Sequence, residues 1–80
     1  MPRFLLNIRK NGVLIEDPDG DEVENLEAAR QIALDTLSDM RRLPHIYGEA
    51  AEWMDKEFVI TDEAGTVLMT IPFSHTTEGA

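Results

Sequence analysis

The amino-acid sequence predicts an α+β domain in which one main amphipathic helix lies on one face of a small, mainly antiparallel four-stranded sheet. Two loop signals, at residues 17–20 and 62–65, divide the chain. The segments outside them alternate like strands, and the segment between them has a helical period, so the expected order is ββαββ. The 80 residues are expected to form a single domain, residues 1–73, followed by a flexible polar tail, residues 74–80.

The beginning of the chain predicts a β-hairpin. Asn11-Gly12 is the strongest short hairpin signal, because both central residues of a type I′ turn take positive φ. A two-residue turn sets Arg9 opposite Leu14 and so fixes the register of the second strand, residues 13–16. The residues predicted to face inward are Phe4, Leu6, Ile8, Val13 and Ile15.

A helix is predicted over residues 25–42. Asn25 is a good N-cap, Glu27 lies in the first turn, and Pro44 ends the pattern. The apolar stripe predicted to face the sheet consists of Leu26, Ala29, Ile32, Ala33, Leu37 and Met40. Residues 45–56 fit either one or two helical turns or an ordered loop.

A second hairpin is predicted near the end of the chain. Residues 58–61 and 66–71 are rich in β-branched side chains, and residues 62–65 fit a type I turn completed by a left-handed glycine. The aromatic residues Trp53 and Tyr47 are expected over the open end of the core, with methionines as core filler. The inward residues of the last strand are expected to be Val67, Met69, Ile71 and Phe73.

The composition argues against several classes of function. There are 16 acidic and 7 scattered basic residues, a formal net charge of −9, so neither nucleic acid nor an anionic membrane is expected as a partner. The chain has no cysteine, which excludes disulfides, thiolate zinc sites and cysteine nucleophiles. Its apolar runs are far shorter than the ~20 residues that span a bilayer, and a cytoplasmic location is the default expectation.

Three separated motifs carry a resemblance. They are Met1-Pro2-Arg3-Phe4; Asp17-x-x-Gly20-x-Glu22-Val23 leading into Leu26-Glu27-Ala28-Ala29-Arg30; and Gly65-x-Val67-Leu68 followed by Ile71-Pro72-Phe73. Through these three motifs the chain resembles a family of small bacterial proteins described as a domain of unknown function. The resemblance implies a stand-alone bacterial domain and supplies no activity, cofactor or catalytic residue. Leu5-Leu6-Asn7 stands where aromatic residues and a histidine are common in that family, so a role for that histidine does not carry over.

Residues suited to catalysis are few. Ser38 and Ser74 are the candidate nucleophiles, and His45 and His75 are the candidate bases. Neither serine lies in a nucleophile-elbow pattern, and the carboxylates crowd into loops and a solvated helix face. No catalytic residue and no cofactor site are therefore expected, and the chain is not expected to be an enzyme.

Alternating acids in the first loop resemble half of a calcium site. Asp17-x-Asp19-x-Asp21 places three carboxylates as an EF-hand loop does. The sixth and twelfth positions, where that loop needs glycine and a bidentate glutamate, hold Glu22 and Ala28. No metal site is expected.

The outer face of the sheet is the candidate protein interface. The alternation that places Phe4 inward places four aliphatic residues outward: Leu5, Leu14, Val59 and Leu68. Aliphatic side chains there favour burial, either under a helical turn around residues 50–54 or against a second copy. Since two-fold dimers are the commonest oligomers, a self-associating interaction or regulatory domain, a homodimer, is expected. The alternative is an acidic, antitoxin-like or inhibitory partner of a basic protein, motivated by the seven carboxylates in residues 16–27.

The first prediction is that calcium stabilises the chain no more than magnesium does. Without the bidentate glutamate, both ions only screen the acidic loop. Thermal unfolding with each chloride salt at about millimolar concentration measures this. A calcium-specific rise in Tm at micromolar metal would contradict it.

Overall fold

The computed structural model describes residues 2–74 and has the predicted α+β architecture. Three strands precede the main helix, and two short helices and two strands follow it. In chain order the elements are β1 (Arg3–Lys10), β2 (Val13–Ile15), β3 (Asp21–Glu22), α1 (Leu26–Arg42), α2 (Pro44–Tyr47), α3 (Ala50–Trp53), β4 (Glu57–Thr61) and β5 (Val67–Pro72). The short strand β3 was not predicted. The predicted tail lies, from residue 75 onward, outside the described residues.

The sheet is antiparallel and is centred on two strands from opposite ends of the chain. Its order is β2-β1-β4-β5, and β3 pairs with the beginning of β1. β1 pairs with β4 over five residue pairs, from Leu5 opposite Thr61 to Arg9 opposite Glu57. Since β2 and β5 are the outer strands of this order, each has one edge that pairs with no described strand.

The first hairpin has the predicted turn and register. Asn11 and Gly12 both have positive φ, +53° and +78°, and Arg9 lies opposite Leu14. The burial expected for the inward residues of β2 is wrong, however: Val13 is 64% exposed and Ile15 is 59% exposed. The reason is that α1 packs on β1 and β4, and the core beneath it includes no residue of β2.

The second hairpin also has the predicted turn. Gly65 has φ +89°, and Oδ1 of Asp62 accepts hydrogen bonds from the backbone N–H groups of Ala64 and Thr66, both at 2.9 Å. A register shift next to Thr61 sets that residue opposite Val67. Because this irregularity breaks the alternation along β5, Val67 is exposed, and its predicted inward position is wrong.

Helix α1 begins and ends as predicted. Oδ1 of Asn25 accepts a hydrogen bond from the Ala28 N–H at 2.9 Å, which is the expected N-cap. Leu34, and not Ile32, completes the buried stripe: the two flank Ala33 on opposite sides of the helix, and Leu34 belongs to the core whereas Ile32 is half-buried. The buried residues of α1 are Ala29, Ala33, Leu34, Leu37 and Met40.

Aromatic side chains close one end of the core. Trp53 is buried and meets Phe73 edge to face, with ring centroids 6.2 Å apart, while Phe58 stacks obliquely on Phe73 at 4.6 Å. The indole Nε1 of Trp53 donates to the Gly48 carbonyl at 3.2 Å. The core position expected for Trp53 is therefore confirmed. The positions expected for Tyr47 and Met54 are wrong, since the short helices α2 and α3 leave both side chains exposed.

Replacing Leu37 by alanine is expected to lower the free energy of unfolding by about 2–4 kcal/mol, because the side chain is fully buried between helix and sheet. Gln31→Ala, on the exposed side of α1, is the control and is expected to change little. Urea midpoints measure both variants. Equal midpoints for the two would contradict the packing described.

Candidate interaction surface

The outer face of the sheet, which faces away from α1, is polar at its centre. Asn7 and Thr61 are both buried there. Nδ2 of Asn7 donates to the Val59 carbonyl at 3.0 Å and to the Thr61 hydroxyl at 3.1 Å, and its Oδ1 accepts from the Asp17 N–H at 2.9 Å. The amide nitrogen and the amide oxygen are thus both bonded within the chain, which joins β1, β4 and the loop of residues 16–20.

Asp17 bridges an interruption in the sheet. β2 pairs with the last residues of β1, and β3 pairs with the first residues of β1. The loop of residues 16–20 connects β2 to β3. In this gap the Asp17 carboxylate accepts a hydrogen bond from the Leu6 N–H at 3.3 Å through Oδ2. This carboxylate of the acidic run therefore takes the place of a strand partner.

Gly20 brings the same loop close to Leu5. It has φ +69°, and a Cβ at this position would lie 2.6 Å from Cδ2 of Leu5 and 3.0 Å from the Phe4 carbonyl oxygen. Only glycine fits both the conformation and the space. Leu5 is consequently half-buried by the chain's own loop.

The four residues predicted as an outer-face interface do not form one patch. Val59 is 2% exposed and so has no side-chain surface left to offer a partner. Leu14 is 43% exposed and Leu68 is 38% exposed, but they belong to opposite outer strands, β2 and β5. Between them lie the Asn7 network and an ion pair of Arg9 with Glu57 across β1 and β4. A polar strip thus divides the aliphatic residues that the alternation places on this face.

Among residues 2–74, the longest run of consecutive exposed aliphatic residues is strand β2. Its three residues Val13, Leu14 and Ile15 are all exposed, in sequence, on a strand whose outer edge is unpaired among residues 2–74. The sequence carries the signal as three successive aliphatic residues directly after Asn11-Gly12. Alternation alone does not reveal it, because exposure of both faces depends on strand order and on where the helix ends.

The family comparison agrees with the resemblance found in the sequence. Residues 3–74 match the family model described as Domain of unknown function (DUF6894). The chain belongs to this family. Nothing matches it among the curated proteins or the solved structures. Since the family description names no activity, a functional proposal has to be built from the surfaces of the chain itself.

The catalytic candidates are not joined in the part of this family member that the structure describes. Ser38 is half-buried on α1, whereas His45 on α2 and Ser74 are exposed; no hydrogen bond links either serine to His45. His75 lies outside the described residues. Among residues 2–74, no group of three or more His, Cys, Asp or Glu residues is arranged to hold a metal ion, and none of their helices is both long and apolar enough to cross a membrane.

Removing the Asn7 amide is expected to destabilise the fold. Asn7→Ala leaves the buried Thr61 hydroxyl and the Asp17 N–H without this partner, at a cost of roughly 1–3 kcal/mol in the free energy of unfolding. In a double-mutant cycle, the losses of unfolding free energy caused by Asn7→Ala and Thr61→Val should not add, because the two side chains share a hydrogen bond. The loss caused by Thr70→Val, at an exposed position on the same face, should add to that of Asn7→Ala. Urea unfolding measures the cycle. Additivity for both threonines would show that the network contributes nothing beyond its separate parts.

Proposed function

We propose that this chain is a small, non-catalytic interaction or regulatory domain that associates with a second copy of itself. The observation that carries the proposal is the exposed aliphatic strand β2 at an unpaired edge of the sheet. Native proteins usually protect such edges with an inward-pointing charge, a proline or a bulge. Within β2 none of these is present, since the strand reads Val-Leu-Ile.

The area available sets the strength of the association. Fully burying one aliphatic side chain of this size is worth about 1.5–3 kcal/mol. Val13, Leu14 and Ile15 are each about half-exposed, so each copy brings on the order of 2–4 kcal/mol to the contact. Association costs about 4 kcal/mol or more in translational and rotational freedom. Two copies together bring about 4–8 kcal/mol, so the balance leaves about 4 kcal/mol at most and supports a weak and reversible dimer with a Kd of about millimolar.

The net charge modulates the same equilibrium. Two copies of a chain with a formal charge of −9 repel each other at long range. Salt shortens the range of this repulsion to about 8 Å at physiological ionic strength. The proposed dimer should accordingly strengthen as salt rises, in contrast to a complex between opposite charges.

The second candidate is an acidic partner of a basic protein. It is supported by the exposure of most acids in residues 16–27: Glu16, Asp19, Glu22, Glu24 and Glu27. Part of that charge is neutralised within the chain, because Glu22 pairs with Arg3 at 3.4 Å and Glu27 with Arg30 at 3.2 Å. Recovery of a basic protein in near-equal amount from the native host, released by salt, would favour this candidate.

The prediction is that the chain forms a dimer of twice its 9.0 kDa mass, with the dimer fraction rising with concentration and with salt. Sedimentation equilibrium from about 10 µM to about 1 mM, at low and at high salt, measures it. Val13→Thr, which keeps the shape of the side chain but replaces one methyl group with a hydroxyl group, should weaken the dimer.

Val67→Thr is the matched control for that measurement. It makes the same change at a similarly exposed valine on β5, the opposite outer strand, and should leave the dimer unchanged. A monomer at every concentration and salt would contradict the proposed function.

A further inference from the structure

We infer that two copies pair their β2 strands antiparallel about a two-fold axis at Leu14, so that the two sheets continue through the dimer. The inference rests on the proposed function and specifies its surface and register. Its basis is the match, at this register, of backbone groups, aliphatic side chains and charges along residues 12–16.

The backbone of β2 presents its free groups at Leu14. In a two-residue hairpin the pair next to the turn, here Lys10 and Val13, exchanges both of its backbone hydrogen bonds. Pairs alternate along an antiparallel ladder, so Arg9 and Leu14 form the next, non-hydrogen-bonded pair. The N–H and C=O of Leu14 therefore point away from β1. Across a two-fold axis they meet the C=O and N–H of Leu14 in the second copy.

The side chains match at the same register. On the outer face, Leu14 meets Leu14 of the second copy. On the inner face, Val13 of each copy meets Ile15 of the other copy. Ile15 lies opposite Ile8, which packs against the core. Pairing thus continues the row of aliphatic side chains from Ile8 through Ile15 to Val13 of the second copy and buries the flanks of the inner-face residues that α1 leaves bare.

The charges select this register over its neighbours. With the axis at Leu14, Glu16 falls opposite Gly12, which has no side chain and, apart from its chain neighbours, has no described atom within 4 Å of the place a Cβ would occupy. With the axis at Ile15, Glu16 would face Leu14, and Asp17 would have to leave its bond to the Leu6 N–H. With the axis at Val13, the turn residue Asn11 would have to act as a strand residue. The Leu14 axis keeps every carboxylate out of the aliphatic contact and also leaves Asn11 in its turn.

The other outer strand is a poorer edge. β5 carries the register irregularity near Val67, and it ends at Pro72, which has no N–H to donate. Both features hinder pairing with another strand. We therefore assign the contact to β2 and treat pairing through β5 or through the outer face as outcomes that would overturn the inference.

A single-cysteine variant tests the register directly, because the natural chain has no cysteine. Facing residues of a hydrogen-bonded pair have Cα atoms about 5.5 Å apart, within the range that a disulfide spans. Leu14→Cys, oxidised at a concentration where the unmodified chain dimerises, is expected to form a linked dimer at least about tenfold faster than Leu68→Cys, whose site has similar exposure on β5.

A dimer that cross-links as fast through Leu68→Cys or Leu5→Cys as through Leu14→Cys would overturn the inference and leave the proposed function standing. Hydrogen exchange of the unmodified chain is the second measurement. The Leu14 amide should become protected as the dimer fraction rises, and an unprotected Leu14 amide in a sedimenting dimer would also overturn the inference. A chain that stays monomeric at all concentrations would overturn both proposals.

Discussion

Pairing between β1 and β4 is the constraint on which the other features of this fold depend. The two strands come from opposite ends of the chain and form the centre of the sheet. Their inner sides supply Phe4, Phe58 and Ile60 to the core under α1. On their outer sides Asn7 joins Val59 and Thr61. Loss of this pairing would remove the surface on which the helix packs and the polar network that holds the loop of residues 16–20.

The same constraint explains why β2 is bare. A helix with its side chains is about 10 Å wide, whereas neighbouring strands lie about 4.8 Å apart, so one helix covers roughly two strands. The two strands on which α1 packs are β1 and β4. The strand beyond β1 has the correct inward residues, Val13 and Ile15, but no layer above them. Val13 and Ile15 are thus exposed because, among residues 2–74, one long helix packs on a sheet of five strands.

How far the sequence predicts this structure depends on the range of the interaction. Asn11-Gly12, Asp62 with Gly65, and the Asn25 cap act over a few residues, and the structure confirms all three. Burial of Val13 and Ile15 depends on strand order, which alternation does not encode. The sequence did not predict β3, because Asp21 and Glu22 have low β-propensity and form a strand by pairing with the distant beginning of β1. Likewise, Val59 has the predicted outward register, yet its burial depends on Asn7 and the strands around it.

The acidic segment after β2 gives the proposed interface its limits. Ile15 is followed by Glu16 and Asp17-Pro18, so an added strand finds only three aliphatic residues before it meets charge and a proline. Asp17 cannot be recruited to lengthen the contact, since its carboxylate and its N–H are bound to Leu6 and Asn7. A longer edge of this composition would promote open-ended aggregation. The short one, bounded by acids and repelled at long range by a net charge of −9, favours a closed and reversible pair.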